Sequence, residues 1–133
     1  MVSDKCIKKE YEMKESVLKT KSFRFAIRIV NLYKYLCDDK KEFVLSKQIL
    51  RSGTSVGAMV SEAEHSESKS DFIHKIAIAQ KEINETNYWL ELLCETNYIS
   101  KKEFENINID AVELIKIITA SIKTAKSSLT TNR

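Results

Sequence analysis

The sequence predicts an all-α protein, an up-down-up-down four-helix bundle built from one domain. Three observations support this prediction. The 133 residues include no proline and only two glycines, so few positions interrupt a helix. Apolar residues recur at steps of three and four, which places them on one side of an α-helix. Short polar segments separate four such stretches, and short connections favour antiparallel neighbouring helices.

The chain divides by pattern into an arm, a bundle domain and a tail. Residues 1–20 are of mixed charge, and we expect a frayed or partly helical arm there. Residues 21–126 carry the helical period and form the predicted bundle domain. Residues 127–133 are small and polar, and we expect this tail to fray.

The first helix is predicted from about Lys21 to Cys37. Its apolar stripe consists of Phe25, Ile29, Leu32 and Leu36. The opposite surface carries the basic residues Lys21, Arg24 and Arg28, followed by Asn31 and Tyr35. Phosphates and bases of nucleic acids favour such a basic row that ends in an aromatic residue. A solvated outer face explains the same row.

The second helix, predicted from Phe43 to His65, contains both glycines of the chain. Its apolar stripe is Leu45, Ile49, Ser52, Val56, Met59 and Ala63. Gly53 and Gly57 lie one turn apart, and each costs about 1 kcal/mol relative to alanine inside a helix. Together with Ser52, they predict that a neighbouring helix packs unusually close. A phosphate-binding loop is excluded, because no strand precedes the glycines and no Lys-Ser or Lys-Thr pair follows.

The third helix is predicted from about Lys69 to Thr96, after a capping-box-like start at Ser68 and Asp71. Its predicted core stripe is Ile73, Ile76, Gln80, Ile83, Asn87, Leu90 and Cys94, flanked by Phe72, Ala79, Thr86 and Leu93. The amides of Gln80 and Asn87 need hydrogen-bond partners if they are buried. Trp89 and Leu92 lie off this stripe, which predicts that a second subunit covers them.

The fourth helix begins near Ser100, where Glu103 completes a capping-box spacing. Apolar residues then cover most of its circumference. Ile109, Val112 and Ile117 widen the apolar surface beyond one bundle, and we expect them at a subunit interface. The helix also carries a basic row of Lys116, Lys123 and Lys126.

Charge and cysteine content limit the possible environments and partners. The net charge is +6 over residues 1–51, −6 over residues 52–110 and +3 over residues 111–133. This asymmetry suits either a polyanion-binding face or self-association. Three widely separated cysteines, Cys6, Cys37 and Cys94, predict reduced thiols in the cytoplasm rather than disulfides or a zinc site. Neither a secretory signal nor a membrane span is recognisable.

An enzymatic function is a further hypothesis, because four-helix bundles hold di-metal sites built from paired Glu-x-x-His motifs. Glu62 and His65 form one such motif, but no second helix carries its counterpart. We therefore expect no catalytic residues, no bound metal and no cofactor. A di-metal carboxylate enzyme is kept only as the least favoured alternative.

Three segments carry a resemblance to a known family: FRFAIRIVNLYKYL, LSKQILRSGTSVGAMVSEA and SKSDFIHKIAIAQKEINETNYWLELL. They resemble the four-helix-bundle proteins encoded in intervening sequences of bacterial large-subunit ribosomal RNA. These are similar to the accessory variability determinant proteins of diversity-generating retroelements. The resemblance implies a left-handed up-down bundle and a homopentameric ring. The accessory proteins bind nucleic acid and a reverse transcriptase, and no catalytic residue is implied.

Taken together, these observations predict a non-enzymatic, oligomeric helical-bundle module that binds RNA or DNA. The predicted contact residues are Lys21, Arg24, Arg28, Arg51, Lys116, Lys123 and Lys126. Repetition of these residues around an oligomer multiplies weak individual contacts. The alternative is a protein-interaction scaffold that binds no nucleic acid and contacts a partner through its acidic middle helices.

Overall fold

A computed structural model describes the backbone of residues 4–131 and the side chains of residues 17–129. This part of the chain forms four helices and no strand. The helices are α1 (Asp4–Asp38), α2 (Leu45–Glu64), α3 (Lys69–Glu95) and α4 (Lys101–Thr131). The prediction of an all-α chain with four helices joined by short connections is confirmed.

The two ends of the helical region extend further than predicted. α1 begins at Asp4 rather than near Lys21, so most of the predicted arm is helical, and Leu18 lies in the core. α4 continues to Thr131, through most of the predicted tail, and residues 132–133 lie outside the described part. Lys and Glu are good helix formers, so alternating charge without glycine or proline does not stop a helix.

Each helix packs against the helices that precede and follow it, and α1 also packs against α4. An ion pair joins Lys19 of α1 to Glu64 near the end of α2. Gln80 and Lys69 of α3 bond to Thr119 and Ser128 of α4, respectively. Because the partner number falls as the first number rises, α3 and α4 are antiparallel. The ion pairs Lys21–Glu113 and Arg28–Asp110 show in the same way that α1 and α4 are antiparallel. The four helices therefore run up, down, up and down.

The buried side of α3 differs by a small rotation from the predicted stripe. Its buried residues are Phe72, Ile76, Ala79, Ile83, Thr86, Leu90 and Leu93. Gln80 and Asn87 therefore lie at the edge of the core rather than in its centre. Gln80 Nε2 donates to Thr119 Oγ1 at 3.2 Å, while Asn87 Oδ1 is buried without a partner among the described residues.

The starts of α3 and α4 have the predicted serine caps. Ser68 Oγ accepts from the backbone N–H of Asp71 at 3.1 Å, and Ser100 Oγ accepts from that of Glu103 at 3.1 Å. Each bond satisfies one of the N–H groups that a helix leaves unpaired at its start.

The start of α2 uses a carboxylate instead of a serine. The Glu42 carboxylate accepts from the backbone N–H groups of Val44, Leu45 and Ser46 at 3.0, 2.8 and 2.7 Å. Burial opposes the charged form, but these hydrogen bonds outweigh it and lower the pKa of Glu42 below its usual value. An ionised Glu42 therefore stabilises the connection between α1 and α2.

The two glycines lie where α2 packs against α1. A Cβ atom at Gly53 would stand 2.7 Å from Ile29 Cγ1, and one at Gly57 would stand 3.3 Å from the carbonyl oxygen of Ser22. Ser52 points instead toward α3, where its hydroxyl lies 2.9 Å from that of Thr86. The small residues therefore bring α2 close to both of its neighbours.

Candidate functional site

The basic row of α1 faces carboxylates of α4. Lys21 forms an ion pair with Glu113. Arg28 Nη1 lies 2.6 Å from Asp110 Oδ2, and Arg28 Nη2 donates to Asn106 Oδ1 at 2.6 Å. Arg24 is exposed and has no ion pair among the described side chains. Two of the three predicted contact residues on α1 are thus already paired with opposite charges.

Arg51 connects α2 to α3 through two glutamates. Its Nη1 lies 3.2 Å from Glu82 Oε2, and its Nη2 contacts Glu85 Oε2. The same Glu85 oxygen accepts from the indole N–H of Trp89 at 3.1 Å. Arg51 is thus already paired with two opposite charges, and the local charge is negative.

The predicted interface residues divide into two groups. Trp89, Leu92 and Ile117 are half-buried within their own chain, and Trp89 and Ile117 pack against the core. Ile109 and Val112 of α4 remain exposed, and so does Tyr88 of α3. The antiparallel register set by Gln80 and Thr119 places Tyr88 at about the same level along the bundle as Ile109 and Val112. We call Tyr88, Ile109 and Val112 the apolar patch.

On the same side of α3 and α4, about two turns along from the apolar patch, lie lysines without carboxylate partners. Lys116 and Lys123 are exposed on α4, one turn before and one turn after Thr119. Lys81 is exposed on α3, next to Gln80, which bonds to Thr119. None of these three lysines has an ion pair among the described side chains. We call Lys81, Lys116 and Lys123 the lysine face.

The last helix contains one more predicted contact residue. Lys126 is exposed, and it interacts with another group of the chain. We therefore leave it out of the lysine face.

The sequence prediction missed Lys81. In the sequence, Lys81 is one of three lysines on α3, a helix that carries more acidic than basic residues. Only the packing of α3 against α4 puts Lys81 on the helix beside the one that carries Lys116 and Lys123. A pattern search within one helix therefore could not have found this surface.

The Glu-x-x-His motif ends α2. Glu62 and His65 are both exposed. Among residues whose side chains the structure describes, no group of three or more His, Cys, Asp or Glu side chains could hold a metal ion. A search of the same residues finds no helix long and apolar enough to cross a membrane.

The chain is similar to known proteins in both sequence and fold. The family model described as 23S rRNA-intervening sequence protein matches residues 14–120. A crystal structure at 1.70 Å of a protein with unknown function from the S23 ribosomal protein family of Bacteroides thetaiotaomicron is similar, with a TM-score of 0.82. The two sequences are 57% identical over 83% of this chain and 98% of that chain. Comparison with curated proteins finds no match.

Proposed function

The chain belongs to the 23S rRNA-intervening sequence protein family, and on that premise we propose that it is a non-enzymatic cytoplasmic module that binds nucleic acid through its lysine face. One observation carries the proposal: Lys81, Lys116 and Lys123 have no ion pair among the described side chains. Lys21, Arg28 and Arg51 are each held by carboxylates instead. The lysine face is therefore a basic surface on which phosphates need not displace an ion pair.

The spacing of the lysine face suits a phosphate backbone. Lys116 and Lys123 are seven residues apart, which corresponds to about 10 Å along a helix. Three phosphate contacts per chain give a slope of log K against log salt of about −2 for a single strand. Such binding is weak for one chain and becomes strong when several copies contact the same nucleic acid.

Self-association completes the proposal, since the resemblance to ring-forming families implies a homopentamer. Phe23 of α1 and Ile109 of α4 are 65% and 66% exposed. Phe23 and Ile27 lie one turn apart on α1, while the apolar patch lies on α3 and α4. Contact between two unlike patches is heterologous, and a heterologous contact closes into a ring when its rotation divides the circle. Burial contributes about 1.5–3 kcal/mol for each large apolar side chain.

Light scattering tests the assembly. We expect the parent protein to have a mass near five chains and Ile109→Glu to lower it, because the substitution places a charge in an apolar contact. Lys47→Glu, an exposed substitution on α2 outside both patches, should leave the mass unchanged. A monomeric parent at micromolar concentration would remove the interface from the proposal.

Nucleic-acid binding is tested by titrating the protein with structured RNA, single-stranded DNA and duplex DNA at two salt concentrations. The triple variant Lys81→Gln/Lys116→Gln/Lys123→Gln should lose most of the affinity. The control Lys34→Gln/Lys47→Gln/Lys101→Gln removes the same charge from exposed positions of α1, α2 and the start of α4. It should retain the affinity. Absence of binding to all three probes at low salt, or equal losses in both variants, would contradict the proposed site.

The alternative function is a protein-interaction scaffold without nucleic-acid binding. The exposed side chains of Phe23 and Ile27 favour it, because an apolar surface on a helix is typical of protein contacts. A parent protein that forms the expected oligomer but binds none of the three nucleic-acid probes would support this alternative.

A further inference from the structure

A cleft between α1 and α4 lies outside the lysine face and is lined by different residues. Its volume is about 530 Å³, and its lining residues are Arg28, Asn31, Leu32, Tyr35, Lys102, Glu103, Asn106 and Ile107. Sites for small molecules typically have volumes of about 300–1,000 Å³, apolar walls and a few well-placed polar groups. We infer that this cleft binds one nucleotide unit, either a free nucleoside monophosphate or an unpaired nucleotide of a single strand.

The apolar part of the cleft suits a planar ring. Leu32 and Ile107 are only 7% and 8% exposed, so they form the floor. Tyr35 lines the cleft and is half-buried against the core, which restricts the movement of its ring. A flat heterocycle that rests on the floor would lie beside this aromatic ring, and bases of single strands stack on such rings irrespective of sequence.

Two polar groups of the cleft, Arg28 and Asn106, are held in defined orientations. Arg28 donates to Asp110 Oδ2 and Asn106 Oδ1, both at 2.6 Å, so its guanidinium group is fixed between two partners. Because the oxygen of Asn106 accepts from Arg28, its amide nitrogen remains a donor. The exposed amide of Asn31 offers both a donor and an acceptor. Donors and acceptors of this kind match the edge of a nucleobase.

The charges at the cleft match the remainder of a nucleotide. Lys102 lines the cleft, and Lys40 Nζ lies 5.9 Å from the centre of the Tyr35 ring. These two ammonium groups provide positive charge for a phosphate. The carboxylate of Glu103, also in the lining, can accept from ribose hydroxyl groups. An inorganic anion would use the lysines alone, whereas a nucleotide uses the floor, the amides and the charges together.

This inference goes beyond the proposed function, because a cleft for one nucleotide unit does not require the lysine face. The first experiment adds AMP, CMP, GMP and UMP separately to the uniformly ¹⁵N-labelled full chain and follows amide resonances. We expect saturable shifts in residues 28–35 and 102–107 with at least one probe. The second adds ten-nucleotide adenine and uracil RNA strands to the parent and to the lysine-face triple variant. Shifts at the cleft that persist in that variant separate this site from the proposed one.

Two substitutions and two matched controls identify the contributing groups. Tyr35→Ala removes the ring and should abolish saturation, whereas Tyr33→Ala changes a half-buried tyrosine of the same helix outside the cleft. Lys102→Glu is exposed and leaves the core intact. It should weaken binding about tenfold or more, since a charge-assisted contact is replaced by repulsion. Lys47→Glu makes the same change on α2 and should have no effect.

Each possible result supports or overturns the cleft assignment. Saturation by mononucleotides identifies a free nucleotide as a sufficient ligand, and saturation by the RNA strands alone identifies an unpaired nucleotide of a strand. Absence of saturable shifts with every probe would overturn the inference. Shifts confined to residues outside the cleft, or equal effects of Lys102→Glu and Lys47→Glu, would overturn it as well.

Discussion

Helix α1 packs against its two neighbours in opposite ways. Toward α2, the contact is made by small residues: Gly53 lies against Ile29 and Gly57 against the backbone of Ser22. Toward α4, it is made by long charged side chains, with Arg28 reaching Asp110 and Lys21 reaching Glu113. We call the α1/α2 contact the glycine seam and the α1/α4 contact the charged seam. At the glycine seam the two helices pack closely, whereas the charged seam is bridged by side chains and borders the cleft.

The comparison shows how side-chain size decides where a bundle leaves space between its helices. Glycines allow two helices to approach until little space remains for other groups. Between α1 and α4, long charged side chains bridge the two helices, and the cleft lies beside them. The α1/α4 seam therefore leaves a cleft, while the α1/α2 seam is closely packed.

The largest effect is expected at the glycine seam. Gly53→Leu should lower the free energy of unfolding by about 1–3 kcal/mol or more, because even its Cβ atom would stand 2.7 Å from Ile29. Chemical denaturation measures the change. Ala58→Leu, an exposed substitution on the same helix, serves as the control and should have little effect. Equal stability of the two variants would show that the close packing of α1 against α2 does not depend on Gly53.

An intermediate effect is expected at the connection that joins α1 to α2. Glu42→Gln should lower the free energy of unfolding at pH 7 by about 1–2 kcal/mol, since hydrogen bonds to a charged group are stronger than those to an amide. Glu105→Gln, an exposed change, should be nearly neutral. An unchanged unfolding midpoint in Glu42→Gln would contradict the role given to the carboxylate.

The pH dependence of the free energy of unfolding provides a second test of the role of Glu42. The pKa of Glu42 is lower in the folded chain than its ordinary value, because backbone N–H groups bind the carboxylate. The stabilisation is therefore present above the ordinary pKa of the unfolded chain and is lost as the pH falls through the lower pKa of the folded chain. The difference in stability between the parent and Glu42→Gln should shrink below pH 4. A difference that is constant between pH 7 and pH 3 would exclude ionisation as the cause.

The smallest effect is expected at the charged seam. A double-mutant cycle on Arg28→Ala and Asp110→Ala should give a coupling energy of about 0.2–1 kcal/mol, since both side chains are more than one-third exposed. The coupling should decrease in 1 M salt, because salt screens exposed charges. The destabilisation by Gly53→Leu should not respond to salt in this way. A coupling above 2 kcal/mol would remove the contrast between the two seams.

Much of the fold was predictable because its signals are local. The helical period, the serine caps at Ser68 and Ser100, and the small residues at Gly53 and Gly57 all lie within one helix or turn. The prediction was less accurate where the local signal was ambiguous. In residues 1–20, apolar residues are scattered among charges, which predicts a frayed or partly helical arm, although Lys and Glu favour a helix. On α3, several neighbouring apolar residues allowed a stripe rotated away from the buried one.

The candidate site was predictable only in part. The sequence by itself determined that Lys116 and Lys123 share one surface of a helix, because a step of seven residues completes nearly two turns. The tertiary structure alone decided which charges remain unpaired. Arg28 meets Asp110 across 82 positions of the chain, and the Gln80–Thr119 contact places α3, which carries Lys81, beside the helix of Lys116 and Lys123. The period of a helix specifies which residues share a face, but it carries no information about which face of another helix lies opposite.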